Sequence, residues 1–374
     1  MNSEHHALLV LSTIPGIGSV RLRALVSTLG SAGAVAAASG HQLIGVEGIE
    51  RKTAAVILAF YRGRGAAEGR DFADRQLHRL GQMGGRLVSW WDPEYPPLLK
   101  KSDEPPPFLF LQGTLEERDA GALAVVGTRS PSAYGVRVAE ELTEGIASLG
   151  ITIVSGLARG IDTIAHATCV RRSHRTLAVI GSGLDVIYPS ENYPLSRRIA
   201  SGGAVITELP LGAKPDAVNF PRRNRIVSGM TLGTLVIETG PEGGAMITAA
   251  LALEQGREVF AVPASLNKNA PSGTNRLIKE GRAKLTESVD DILVELAPRL
   301  KSLIPAGKVP RPLPPVDLTL FERTVADVLS DEAVHIDLIA SRAGIPAGDA
   351  LVHLLSLEFK GVARQLRGKM FRRA

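Results

Sequence analysis

Between residues 122 and 263 short apolar runs recur: LAVVGT, ITIVSG, TLAVIGSG, GAVITE, GTLVIE and REVFAVP. They are apolar throughout instead of alternating. Between them lie stretches with helical spacing, such as YGVRVAEELTEGIASLG and GGAMITAALALEQG. Strands with no polar face are buried on both sides, so the pattern predicts a parallel sheet covered by helices on both faces. Runs such as ITIVSG and TLAVIGSG end in Ser-Gly at the expected carboxyl edge, where open α/β sheets bind their ligands.

The period changes on either side. Residues 1–80 read as short helices punctuated by glycine. IPGIGSVRLRALVSTLG and VEGIERKTAAVILAF each give a turn and then a helix, with Gly16 and Gly48 in matching roles. They look like two helix-hairpin-helix units, one good and one degenerate. Such a module can offer backbone N–H groups to a DNA phosphate, or it can be a helical packing unit without a ligand. WWDPEYPPLLKKSDEPPPFLFLQGTL, residues 90–115, is a proline-rich connector in which FLFL reads as an edge strand. The resulting division is a helical domain over 1–80, an α/β domain over 81–297, a proline-rich linker over 298–317 and a last domain over 318–374. That last segment gives three helical runs and two short strands around Gly368-Lys369, a winged-helix pattern.

Composition adds little and excludes much. The chain has 374 residues, 44% of them hydrophobic and 22% charged, so a globular chain of two or three domains is expected. Aromatics are only 4%, leaving Val, Leu, Ile and Ala to fill the core. The net charge of +5 permits an anionic partner without demanding one. The single cysteine, Cys169, excludes a disulfide framework and a cysteine-rich zinc site, and its helical apolar surroundings make it a core residue. No metal-binding H-x-x-x-H pair, Walker A lysine or G-x-S-x-G elbow occurs. No metal, cofactor or catalytic residue is therefore expected. The first apolar run is interrupted early by Pro15 and Gly16, and no stretch of about 18 apolar residues exists. Neither a signal peptide nor a membrane span is expected, and the cytoplasm is the expected compartment.

Candidate chemistry clusters in the glycine loops. VVGTRSPSAYG places Gly127 at a strand end and Arg129 in the following turn, where a guanidinium and turn N–H groups suit a phosphate. SGLARGIDTIAH brings Ser155 and Gly156 to another strand end. Its Asp162 and His166 share a helical face and read as a structural contact more readily than as an acid/base pair. Gly181 and Gly183 in IGSGLDVIYP allow close approach of a ligand or of a neighbouring loop. Gly243 and Gly244 in ETGPEGGAMITAA precede a helix, a second anion-binding start.

The densest signal is FPRRNRIVSGM. Phe220, Arg222, Arg223, Asn224 and Arg225 crowd a helix start whose dipole already repels cations. That placement calls for an anion, or for internal carboxylates such as Glu208 or Glu238. Phe220 is the aromatic that could stack on a base.

In their order, VVGTRSPSAYG, SGLARGIDTIAH, IGSGLDVIYP, FPRRNRIVSGM, VIETGPEGGAMITAALALEQGREVFAVP and GTNRLIKEG resemble the signatures of the DprA/Smf family. The resemblance is strong over residues 86–297 and looser at the ends. It implies an extended Rossmann-like domain between a SAM-like helical module and a winged helix. It implies that the chain binds single-stranded DNA without acting as an enzyme. It further implies protection of incoming DNA in natural transformation, loading of the recombinase RecA, a homodimer through the Rossmann-like domain, and help in displacing the single-strand-binding protein. The family's DNA contact matches Arg129, with Ser155, Gly156, Gly181 to Gly183 and Phe220 to Arg225 along the same edge, and Lys214 and Arg175 as supporting cations. An alternative is a nucleotide phosphoribohydrolase of the lysine-decarboxylase-like group, with Arg222 to Arg225 as its phosphate clamp. Its PGGxGTxxE loop is not reproduced by GPEGGAMITAA.

Overall fold

The computed structural model describes residues 3–265, 272–300, 318–330, 332–360, 362–366 and 368–373. They form two compact units, which divide within the 301–317 segment.

The first unit opens with six helices: α1 (Ser3–Ser12), α2 (Ser19–Leu29), α3 (Ala32–Ala37), α4 (Gly40–Ile44), α5 (Arg51–Arg62) and α6 (Gly65–Gln82). The turns before α2 and α5 have the same backbone. Gly16 and Gly48 take φ of +81° and +77°, and the N–H groups of Ile17 and Ile49 donate to Ile14 and Val46 O at 3.1 Å each. Arg21 donates to the carbonyls of both turns, Gly16 and Gly48. The second hairpin is therefore not degenerate. Glycine at the left-handed position fixes the turn whatever side chains surround it.

The sheet has nine strands: β1 (Gly85–Ser89), β2 (Phe108–Gly113), β3 (Leu123–Val126), β4 (Ile153–Ser155), β5 (Thr176–Val179), β6 (Ala204–Thr207), β7 (Gly233–Val236), β8 (Glu258–Ala261) and β9 (Lys284–Leu285), in the order β1-β2-β6-β5-β4-β3-β7-β8-β9. All pairs from β6 to β9 are parallel, as the six apolar runs predict, while β2 runs antiparallel to both β6 and β1. FLFL is thus not an edge strand. Its prolines precede the strand, so every N–H inside it is free to pair, and β1 covers its outer side.

Eight helices follow: α7 (Pro97–Lys100), α8 (Ala133–Ser148), α9 (Ile161–Arg171), α10 (Tyr193–Gly202), α11 (Asn219–Gly229), α12 (Gly244–Glu254), α13 (Gly273–Lys279) and α14 (Val289–Leu300). Alternate residues of one strand serve opposite faces. Ala124 and Val126 pack with Ile226, Val227, Ala245 and Ala249 of α11 and α12, whereas Leu123 and Val125 pack with Ile146, Ile161 and Leu296. Helices α1 to α6 share one core with the sheet: Leu8, Leu22, Leu43, Ile57 and Leu80 cluster with Phe108, Phe110, Ala178, Ile180 and Val205. Helix α14 carries Pro298 and runs to Leu300, so the first three residues of the expected linker are helical. Residues 301–317 of it lie outside the described residues.

The second unit has α15 (Leu320–Asp327), β10 (Val334–His335), α16 (Ile336–Ala343), α17 (Ala347–Phe359), β11 (Ala363–Leu366) and β12 (Met370–Arg373), with strand order β10-β12-β11. This is the expected three helices and wing, with one further short strand. Lys360, next after α17, donates to both carboxylate oxygens of Glu322 at 2.8 Å. Lys360 and Ser356 hold the Glu322 carboxyl down to about 2. Among the described residues no helix is long and apolar enough to cross a membrane, and no group of three or more His, Cys, Asp or Glu could hold a metal ion.

Candidate nucleic-acid interface

The strand order reverses at β3. Connections lead one way through β4, β5 and β6 and the other way through β7 and β8. A crevice must open at the carboxyl ends on either side of such a reversal, because the following helices leave on opposite faces. A cavity of about 550 Å³ lies there, lined by the loops after β3, β4 and β7 and by α11 and the start of α12.

After β3, Gly127 lets α9 close onto the strand. A Cβ there would fall 2.5 Å from the Ile161 side chain. The turn is tied down by Thr128 N–H to Glu238 O at 2.6 Å, and Ser132 caps α8 while donating to the Glu238 carboxylate at 2.9 Å. Glu238 is thus occupied by this turn and not by the arginines of α11. Arg129 is left exposed, its guanidinium 5.5 Å above the Phe220 ring.

After β4 the predicted residues divide. Gly156 lines the cavity, whereas Ser155 is fully buried and donates to Val125 O at 2.6 Å, a link between neighbouring strands. Asp162 and His166 do not meet: Asp162 accepts from Gly156 and Ala158 N–H, and the His166 ring bonds Thr176 Oγ1 at 2.7 Å. After β5, Gly181 backs onto Phe220, while Gly183 faces the Pro210–Gly212 loop and donates to Ala213 O at 2.9 Å. Gly183 therefore makes room for a loop and lies off the cavity. Lys214 is exposed on the loop before α11.

Helix α11 separates the arginines that the sequence bunches together. Arg222 is exposed. Arg225 pairs with Glu208 and donates to Glu104 O at 2.6 Å. Arg223 is only 6% exposed and donates to the carbonyls of Gly156 and Val179. Burial pushes the Arg223 guanidinium down; Asp162 supports its charge and Arg129 opposes it. Asn224 lines the cavity and accepts from Arg223 Nε at 3.1 Å. An arginine clamp running from 222 to 225 is not assembled: one member is spent on the strand ends and another on Glu208.

Helix α12 starts at Gly244 with Gly243 as its cap residue, and no side chain caps it. Both glycines line the cavity. The first N–H groups of the helix thus point into the same space as Arg129. Phe220 has a neighbour that the sequence reading missed, Tyr188, with ring centroids 6.0 Å apart. Its position at the end of IGSGLDVIYP, in a chain with few aromatics, was the available signal.

Arg175 lies elsewhere. It precedes β5, at the amino edge of the sheet, 7% exposed. It grips Asp119 with Nε and Nη2 at 2.7 Å each, and also reaches Glu116, Gly202 O and Thr114 O. As a supporting DNA cation it is ruled out by position and by its spent donors.

A family model described as DNA recombination-mediator protein A matches residues 86–297, more than half of the chain. The chain belongs to this family. Two further models match the flanking parts of this family member: a SAM-like helix-hairpin-helix tandem over residues 8–61 and the DprA winged helix domain over residues 309–369. Protein Smf of Synechocystis is 33% identical over the whole chain and 99% of its own length. The X-ray structure of DNA processing protein A from Streptococcus pneumoniae superposes with a TM-score of 0.66 at 31% identity, covering 78% of this chain and 97% of that one. DNA processing protein A of Helicobacter pylori, described for its single-stranded DNA binding mode, gives 0.51 at 26% identity, covering 57% and 96%.

Proposed function

We propose that the crevice beside β3 binds single-stranded DNA, with a backbone phosphate on Arg129 and the start of α12 and an unpaired base on Phe220. The observation that carries this reading is the convergence in one cavity of an exposed arginine, an uncapped helix start and a half-buried aromatic ring. Phosphate answers the first two and an unstacked base the third, and a duplex cannot supply the base. The single-strand binding described for the H. pylori relative supports the same reading. Arg222 and Lys214, exposed on α11 and on the loop before it, give the strand further cations.

Family membership supports the rest of the proposal. The protein acts in the cytoplasm as a homodimer through its Rossmann-like domain. It protects incoming DNA during natural transformation, loads RecA and helps displace the single-strand-binding protein. It needs no cofactor and catalyses no reaction. The helical domain ends near residue 80 and the winged helix begins near 318.

The test is a titration of labelled single- and double-stranded oligonucleotides of one sequence over a range of salt. Single strands should bind tighter, with a log–log salt slope of about −0.7 per phosphate neutralised. Equal affinity for both forms would remove the base-stacking part of the proposal. The phosphoribohydrolase alternative predicts release of free base from a nucleoside monophosphate, and none is expected here.

A further inference from the structure

Two buried charged residues of the crevice bear on Gly156 from opposite sides. Asp162, in the first turn of α9, accepts the Gly156 N–H at 3.1 Å and the Ala158 N–H at 3.4 Å through Oδ2. Arg223, on α11, donates through Nη1 to Gly156 O and to Val179 O. Gly156 is thus held by both of its peptide groups. A Cβ on it would stand 2.2–2.5 Å from the guanidinium, so the arginine sits where any other residue would place its side chain. Val179 ends β5 and Gly156 follows the end of β4. One guanidinium therefore ties the carboxyl ends of two neighbouring strands to α11.

Phe220 lies three residues before Arg223, one turn away on the same helix. Its ring rests against Gly181, where a Cβ would be 3.1 Å from Cδ1, and under Arg129. The depth of Arg223 fixes the height of that ring. We propose that Asp162 and Arg223 are positioning residues for DNA binding: they seat Phe220 against Arg129 and do not themselves contact the strand. This rests on the single-strand reading above. Two of the three guanidinium nitrogens already donate to protein oxygens, and Asp162, a carboxylate in the cavity wall, would repel a phosphate brought to the floor. A lysine could keep the charge but not reach both carbonyls, since it lacks the planar fork.

The experiment uses the full chain and a fluorescein-labelled oligothymidylate, with affinity measured across salt for wild type, Phe220→Ala, Arg223→Lys and the two combined. A second variant, Asp162→Asn with Arg223→Met, removes both buried charges together, and it carries both readouts should Arg223→Lys not fold. In wild type, Phe220→Ala should cost about tenfold, as for one stacked base. Arg223→Lys should cost a similar factor, and adding Phe220→Ala to it should cost less than about twofold more, because the ring has already lost its seat. The salt slope of the charge-removed variant should equal that of wild type. A slope shallower by about 0.7 would make Arg223 a phosphate ligand and overturn the proposal. Full additivity of the Phe220 and Arg223 losses would overturn it too. Wild type with no affinity for the oligonucleotide would sink the single-strand reading itself, whereas wild-type binding with an additive cycle sinks only this inference.

Discussion

The two edges of the same sheet use arginine in opposite ways. At the amino edge, Arg175 spends its donors on Asp119, Glu116 and two backbone carbonyls. At the carboxyl edge, Arg129 stands exposed beside an uncapped helix start. Both follow or precede an apolar strand, and both look alike as letters in a sequence. The difference is whether acceptors are already present. Carboxylates of the 3-10 turn Glu117–Gly121 and its cap residue meet Arg175, while the one carboxylate lining the crevice around Arg129, Asp162, is buried and bonded to the Gly156 and Ala158 N–H groups. An arginine is available to a ligand where the fold has left it unsatisfied.

Four measurements bear on this contrast. The largest effect should come from Arg175→Met, which leaves Asp119 buried without its partner. A loss of about 3–5 kcal/mol is expected in denaturant unfolding, with the oligonucleotide affinity of the remaining folded protein unchanged. A loss of affinity instead would erase the distinction between the edges.

Next is Arg129→Ala at the other edge. It removes a charge-assisted phosphate contact of about 1.5–3 kcal/mol, roughly tenfold or more in affinity, and makes the salt slope shallower by about 0.7. Unfolding free energy should stay within about 0.5 kcal/mol of wild type.

Between the two edges, mid-way along α9, His166 is bonded to Thr176 and pushed down from its ordinary 6.5 to about 3, chiefly by burial. The unfolded chain takes up that proton below about pH 6.5 and the folded chain does not, so stability falls as pH falls through that window. Between pH 6.5 and 5 the loss should be about 1.6 kcal/mol, the slope rising towards about 1.36 kcal/mol per pH unit as the unfolded histidine becomes fully protonated. His166→Gln should flatten this part of the pH profile in urea titrations.

The smallest effect is at Gly244, where an added Cβ meets nothing within 4 Å. Gly244→Asp should stabilise α12 by about 0.3–1 kcal/mol through its dipole, yet weaken oligonucleotide binding by placing a carboxylate where phosphate is expected. Tighter binding would show that the helix start is not an anion site.

Much of the scaffold could be read from the chain, for a physical reason. Strands β3 to β8 are buried on both faces, apart from Glu258 at the start of β8, and so are mostly apolar without alternation, which neither an amphipathic helix nor a half-exposed strand would be. Strand β9, two residues long, and β1, opening Gly-Arg, carry no such pattern; they are strands because β8 and β2 offer them a partner. The site was legible as a set of loops but not as a set of contacts. Arg129, Gly156, Phe220, Asn224, Gly243 and Gly244 do converge. Arg175, Ser155 and Gly183 do not: Arg175 stands at the opposite end of its strand, while Ser155 turns to a neighbouring strand and Gly183 to the Pro210–Gly212 loop, directions that charge and small size do not encode. Arg223 and Arg225 went to protein acceptors that come from β4, β5, β6 and the connector, distant in sequence and unpredictable from local spacing.

Gln76 of α6 is buried and exchanges two hydrogen bonds with the Leu211 backbone, on the loop that leads into α11. Together with the apolar cluster common to α1–α6 and the sheet, this makes the helical module part of the scaffold's cooperativity. Melting of the first helices would strip Phe110 and Ile180 of cover and release the approach to the arginine helix in the same event. The module and the crevice should therefore lose structure in a single transition, and any ligand gripped in the crevice would raise the melting temperature of helices that never touch it.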